Sequence, residues 1–128
     1  KVGLPLVRRA LELLPDVGFV NAYGLTETSS TIAVLTPDDH RDAHGAADAA
    51  AARRLGSVGR PVPGIEVQIR AEDGTVLPQG EVGQVCVRGP QVMAGYWQRP
   101  EETAKVLGTD GFLATGDMGL ITPEGYLK

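Results

Sequence analysis

The chain has 128 residues, 42% of them hydrophobic, and a formal net charge of −4 with a pI near 5.1. That length gives one domain with a real core. Its twelve cations are scattered, with no stripe for nucleic acid or anionic membrane, so neither partner is expected. No apolar stretch approaches the roughly 18 residues of a transmembrane segment, and a soluble, cytoplasmic protein is expected.

In chain order, Leu4, Val7, Leu11 and Leu14 are spaced three, four and three apart, which predicts one apolar helix face with Pro5 in the first turn. Asp16 and Gly18 end it. Val17 to Val20 reads as a short strand that leads into Asn21-Ala22-Tyr23-Gly24-Leu25-Thr26-Glu27. An aromatic face stacks on a purine, Gly24 lets backbone approach a ligand, Thr26 donates to a phosphate oxygen, and Glu27 is a hard oxygen ligand for Mg²⁺. The same residues also read as a strand end, a turn and a solvated acid. Thr31 to Leu35 is β-branched and predicts a second strand.

Residues 37–55 are expected to form a mobile loop with a short helix near Ala46 to Arg54. His40 and His44 have i, i+4 spacing, but Gly45 follows and no third ligand does, so a solvated loop is expected there and not a zinc site. After Gly56 the pattern turns to β. Ile65 to Arg70 alternates strictly, Asp73-Gly74 signals a tight turn, and Val82 to Arg88 alternates again, predicting an antiparallel pair. Cys86 reads as a structural strand residue. Pro100 to Leu107 opens with proline and acids and predicts a helix. Phe112 to Thr115 and Met118 to Ile121 are expected as two strands separated by Gly116-Asp117, and Trp97 as a core residue. The whole predicts a mainly β (α+β) fold: a small, partly open β-barrel or curled antiparallel sheet with short peripheral helices. Residues 1–36, 37–55 and 56–128 would be its successive parts within one compact unit.

Three blocks resemble the adenylate-forming enzymes, which include acyl-CoA synthetases, aryl-CoA ligases, firefly luciferase and peptide-synthetase adenylation domains. They are Tyr23 to Glu27; Gly80 to Pro90 continuing through Met93 to Trp97 and Pro100 to Thr103; and Asp110 to Asp117 with Gly125 to Leu127. The resemblance implies that Tyr23 lies against adenine, Thr26 meets the α-phosphate, Glu27 holds Mg²⁺ and Asp117 binds the ribose hydroxyls. Asn21 and Ala22 would line the adenine and acyl pocket, and Gly24 would let the backbone come close to the nucleotide. Thr26 and Glu27 would take part in catalysis. The implied reaction converts a carboxylic acid and ATP into an acyl-adenylate, then a coenzyme A thioester. Leu25, and the stretch from Val92 to Thr103, look most like fatty-acyl or aryl-CoA ligases. The only lysines are Lys1, Lys105 and Lys128, and the resemblance implies a phosphate-binding loop upstream and a catalytic lysine in a C-terminal domain downstream. The chain is therefore expected to be a piece of a longer enzyme, inert alone. An amino-acid adenylation domain, or a small non-enzymatic β module binding a nucleotide or a protein, are the alternatives.

Overall fold

The structure, a computed structural model, describes residues 3–128, apart from the side chains of residues 50 and 51. Helix α1 (Leu4–Leu13) starts with proline in its first turn and turns Leu11 inward. Leu11 packs with Ala43 and Leu55, joined by Val7 and Phe19, as a small cluster under the helices. Strand β1 (Asn21–Tyr23) follows and runs antiparallel to β2 (Ala33–Leu35), pairing Asn21 with Leu35 and Tyr23 with Ala33.

The expected strand over Val17 to Val20 is not one. β2 ends at Leu35, opposite Asn21, so the residues before Asn21 have no ladder to join. Val17 and Val20 are exposed accordingly. The segment after β2 holds the short helix expected near Ala46 to Arg54, but its first part is helical too and not a loop, because Thr36 caps α2 (Pro37–Gly45). Its hydroxyl accepts from the Asp39 amide at 3.2 Å, and the Asp39 carboxylate accepts in return from the Thr36 amide at 3.0 Å. This reciprocal cap satisfies donors that the first helical turn leaves free, and Pro37 supplies a preset φ. His40 is buried on α2 with Nδ1 2.8 Å from the Thr36 carbonyl, whereas His44 is exposed. Among the described residues no group of three or more metal-ligating side chains occurs. A short α3 (Ala49–Ala52) and a 3-10 turn complete the segment.

β3 (Arg60–Pro61) pairs with β2 and finishes a three-stranded antiparallel sheet. β4 (Glu66–Arg70) and β5 (Gly83–Arg88) pair as expected, with Glu66 opposite Arg88 and Gln68 opposite Cys86. Helix α4 (Pro100–Val106) then leads to β6 (Leu113–Gly119), the third strand of the second sheet. Of the two forms expected for the β structure, the open one is realised: two antiparallel sheets, not closed into a barrel, with short helices around them.

Ile32 and Ala33 meet Ile65, Ile69, Val85, Val87, Leu113 and Leu127 in the main core. Full burial of each larger aliphatic side chain contributes about 1.5–3 kcal/mol. Leu127, which also bridges to Ile121 just beyond β6, ties the residues before β3 to that end of the second sheet by backbone. The Val58 amide donates to the Leu127 carbonyl and the Leu127 amide to the Gly59 carbonyl, each at 2.8 Å. Gly59 has φ +96°, and a Cβ there would lie 1.9 Å from the Val34 carbonyl, so the close approach of the chain to β2 just before β3 requires glycine. Cys86 is buried in β5, as expected of a structural thiol. Trp97, expected in the core, is 87% exposed on the turn before α4. Among the described residues no helix is long and apolar enough to cross a membrane.

Candidate functional site

Tyr23 ends β1, where its ring leans toward β6. In place of the two strands expected around Gly116-Asp117 there is one, carrying a bulge. Gln84 faces Met118 and Cys86 faces Ala114, so Thr115, Gly116 and Asp117 all stand opposite Val85. Gly116 takes φ +81°, and the Thr115 hydroxyl donates to the Val85 carbonyl at 2.8 Å. A bulge of this kind re-aims a side chain out of its strand. Here it turns Asp117 toward Tyr23, whose hydroxyl donates to Asp117 Oδ2 at 2.7 Å.

This pair crosses a cleft of about 350 Å³ lined by Asn21, Ala22, Tyr23, Val58, Asp117 and Met118, among others. The size is within the range of small-molecule sites. Burial, reinforced by the Asp117 carboxylate and opposed by the Thr115 hydroxyl, pushes the Tyr23 phenol up to about 12. It is a fixed donor at neutral pH. Asn21 uses its amide to donate to the Ser57 carbonyl at 3.2 Å, anchoring β1 from within the same cleft.

Thr26 and Glu27 occupy an adjoining hollow of about 790 Å³, lined by Ala22 to Glu27 and Ser29 to Thr31. The expected residues therefore fall into two hollows that share Ala22 and Tyr23. A 3-10 turn, Thr26–Thr28, shapes the second. The buried Thr28 hydroxyl accepts from the Leu25 amide and donates to the Leu25 carbonyl, each at 3.0 Å. Ser29 and Ser30 then adopt φ +50° and +92°. Positive φ in residues other than glycine costs on the order of 1–3 kcal/mol and persists only where surroundings enforce it. Gly24 is required by the same tight turn: a Cβ there would lie 1.3 Å from the Ser30 carbonyl oxygen. Its bare backbone thus accommodates the chain itself.

Glu27 Oε1 accepts from the Tyr96 hydroxyl at 2.8 Å, and among the described residues Oε2 has no partner. One free carboxylate oxygen suits Mg²⁺, which is commonly held by one or two carboxylates together with substrate phosphates. The donor set of the first cleft, an aromatic plate beside an exposed carboxylate with open space at Gly116, suits a nucleoside. Thr28, Gln91 and Tyr96 were not singled out from sequence. Of these, only Tyr96 falls in a block that carries the resemblance, Met93 to Trp97.

The open pair of antiparallel sheets fits the fold class that the resemblance to adenylate-forming enzymes implies, and within it a tyrosine–aspartate pair lies beside the turn that carries Thr26 and Glu27. Comparison with known proteins agrees. The family model described as AMP-binding enzyme matches residues 1–97, and the chain belongs to that family. It is 39% identical over 129 residues to a long-chain-fatty-acid–CoA ligase of Yersinia pestis, covering 98% of this chain and 21% of that enzyme. The amide bond synthetase McbA of Marinactinospora thermotolerans superposes with a TM-score of 0.85 at 42% identity, over 98% of this chain and 23% of that one. o-Succinylbenzoate CoA synthetase (MenE) of Bacillus subtilis, in complex with its acyl-adenylate intermediate OSB-AMP, gives a TM-score of 0.82 at 32% identity, over 100% and 30%. The chain spans about a fifth of the length of the curated relatives it matches.

Proposed function

We propose that these residues form the adenylate-recognising part of an ATP-dependent acid–CoA ligase acting on a fatty or aryl carboxylic acid. In the first half-reaction a carboxylate oxygen of the acid bonds to the α-phosphorus of ATP and pyrophosphate leaves. In the second, the thiol of coenzyme A bonds to the acyl carbon and AMP leaves. Tyr23 lies along the adenine, Asp117 accepts from the ribose hydroxyls, and Asn21 and Ala22 line the pocket beside them. Thr26 donates to the α-phosphate and Glu27 holds Mg²⁺, while Gly24 keeps the intervening turn tight. When bound, Mg²⁺ neutralises charge on the phosphates as two anions approach.

The observation that carries this reading is the hydrogen bond from Tyr23 to Asp117, which joins two sheets across a nucleoside-sized cleft. A carboxylate held by one oxygen keeps the other for a vicinal diol. The MenE complex supports it, since a relative similar over the whole of this chain carries an acyl-adenylate. The 128 residues alone are proposed not to turn over, because the phosphate-binding loop and catalytic lysine implied by the resemblance lie outside them. The test uses the enzyme that carries this chain. Asp117→Ala should weaken ATP binding about tenfold or more, whereas Glu27→Gln should chiefly slow Mg²⁺-dependent pyrophosphate release. Normal ATP-dependent kinetics in both variants would remove the assignment.

A further inference from the structure

The turn that carries Thr26 and Glu27 does not hold its shape alone. Residues 91–96, more than sixty positions further along, brace it repeatedly. The Met93 amide donates to the Glu27 carbonyl at 2.8 Å. The Ser29 hydroxyl donates to the Gln91 carbonyl at 3.0 Å, and the Gln91 side-chain amide to the Thr31 carbonyl at 2.5 Å. The last strut reaches the carboxylate itself, through the Tyr96 hydroxyl to Glu27 Oε1 at 2.8 Å.

Tyr96 is in turn seated from behind. Its amide donates to Thr103 Oγ1 at 2.9 Å, and the Thr103 hydroxyl donates to the Arg99 carbonyl at 2.8 Å, tying the tyrosine to the first turn of α4. Gly95, with φ +151°, lets Thr103 come close, since a Cβ there would lie 2.9 Å from Thr103 Cγ2. Tyr96 is 38% exposed and its neighbour Trp97 is 87% exposed, so the ring does little for the core. Its polar end is what is fixed. Lys105 lines the same hollow as Glu27 and Tyr96, but its ammonium is paired with Glu102 at 2.7 Å.

We propose that Tyr96 is a positioning residue for the Glu27 carboxylate, holding Oε1 so that Oε2 faces the divalent cation, with residues 91–96 as the brace that fixes the turn beneath it. This rests on the reading of Glu27 as the ligand of that cation. A carboxylate free to rotate must be ordered when the ion binds. A hydrogen bond to the other oxygen sets its plane beforehand, and partners of this kind are worth about 10- to 100-fold in metal affinity.

The test titrates Mn²⁺ into the enzyme that carries this chain, saturated with α,β-methylene ATP, and counts free Mn²⁺ by electron paramagnetic resonance. Tyr96→Phe keeps the ring and removes the hydroxyl. It should weaken Mn²⁺ binding about tenfold or more while leaving metal-free AMP affinity unchanged. Glu27→Gln should weaken it further, and adding Tyr96→Phe to Glu27→Gln should cost nothing more, because the two act through one carboxylate. Wild-type Mn²⁺ binding in Tyr96→Phe with a weakened Glu27→Gln would overturn the positioning role and leave the metal ligand standing. Full binding in both would overturn both. Loss of metal-free AMP affinity in Tyr96→Phe would mark a merely structural residue and also overturn the proposal.

Discussion

Replacing Tyr23 by phenylalanine removes one atom from the cleft and tests its central contact. The lost bond is a phenol donating to a carboxylate at 2.7 Å. Hydrogen bonds to ionised groups contribute about 1.5–3 kcal/mol. Asp117 is exposed, so water replaces part of what is lost, and the lower end applies. About 1.4 kcal/mol corresponds to a tenfold change in affinity. The bond is present before AMP binds, so only the share that pre-orders the Asp117 carboxylate enters affinity, and AMP titrated calorimetrically into the enzyme that carries this chain should bind more weakly to Tyr23→Phe by up to roughly tenfold, with the ring still in place. The wild-type pH profile gives a second reading of the same bond. The Tyr23 phenol is raised from 10.0 to about 12, first by burial, so the folded form holds its proton more tightly than the unfolded one. Its contribution to stability is complete below pH 10 and is lost as pH rises toward 12. AMP affinity should accordingly show no break from tyrosine ionisation between pH 7 and 10. Unchanged AMP affinity in Tyr23→Phe, alongside a defective Asp117→Ala, would refute the idea that the phenol orients the carboxylate.

Gly59→Ala places a methyl group 1.9 Å from the Val34 carbonyl at a positive φ, and should destabilise the fold by about 3 kcal/mol or more, seen as a lowered thermal midpoint. A midpoint within a degree or so of wild type would mean that Gly59 is not pressed against β2 as the structure has it. Cys86 is buried in β5 and burial pushes its thiol up, so iodoacetamide should modify it far more slowly in the folded protein than in urea. Equal rates in the two conditions would contradict the placement of β5 inside the core.

Much of the architecture follows from local pattern. The alternation of Ile65 to Arg70 and Val82 to Arg88 fixes which side chains face inward, and pairing in register is the outcome. The spacing of Leu4, Val7, Leu11 and Leu14 specifies a helix, which ends one residue before Leu14 and leaves that side chain exposed, and Pro100-Glu101-Glu102 specifies a helix start, because both signals are short-range. The order Tyr23 to Glu27 also marks a ligand-handling turn by residue chemistry alone.

What sequence does not determine is whatever depends on a distant partner. Val17 to Val20 has strand character, but the strand begins only at Asn21 because β2 reaches no further. Phe112 to Ile121 suggests two strands, whereas pairing with β5 makes one strand whose bulge lifts Asp117 toward a tyrosine 94 positions earlier. Trp97 is apolar enough for a core, yet the turn before α4 leaves no core within its reach. Gly24 lines the second hollow, yet what makes glycine obligatory there is the Ser30 carbonyl packed against it, a neighbour six positions along. Sequence supplied the chemical groups and the local turns. Tertiary packing decided which carboxylate each tyrosine holds, since a hydrogen bond between residues 69 or 94 positions apart exists only once two sheets and a helix have set both ends in place.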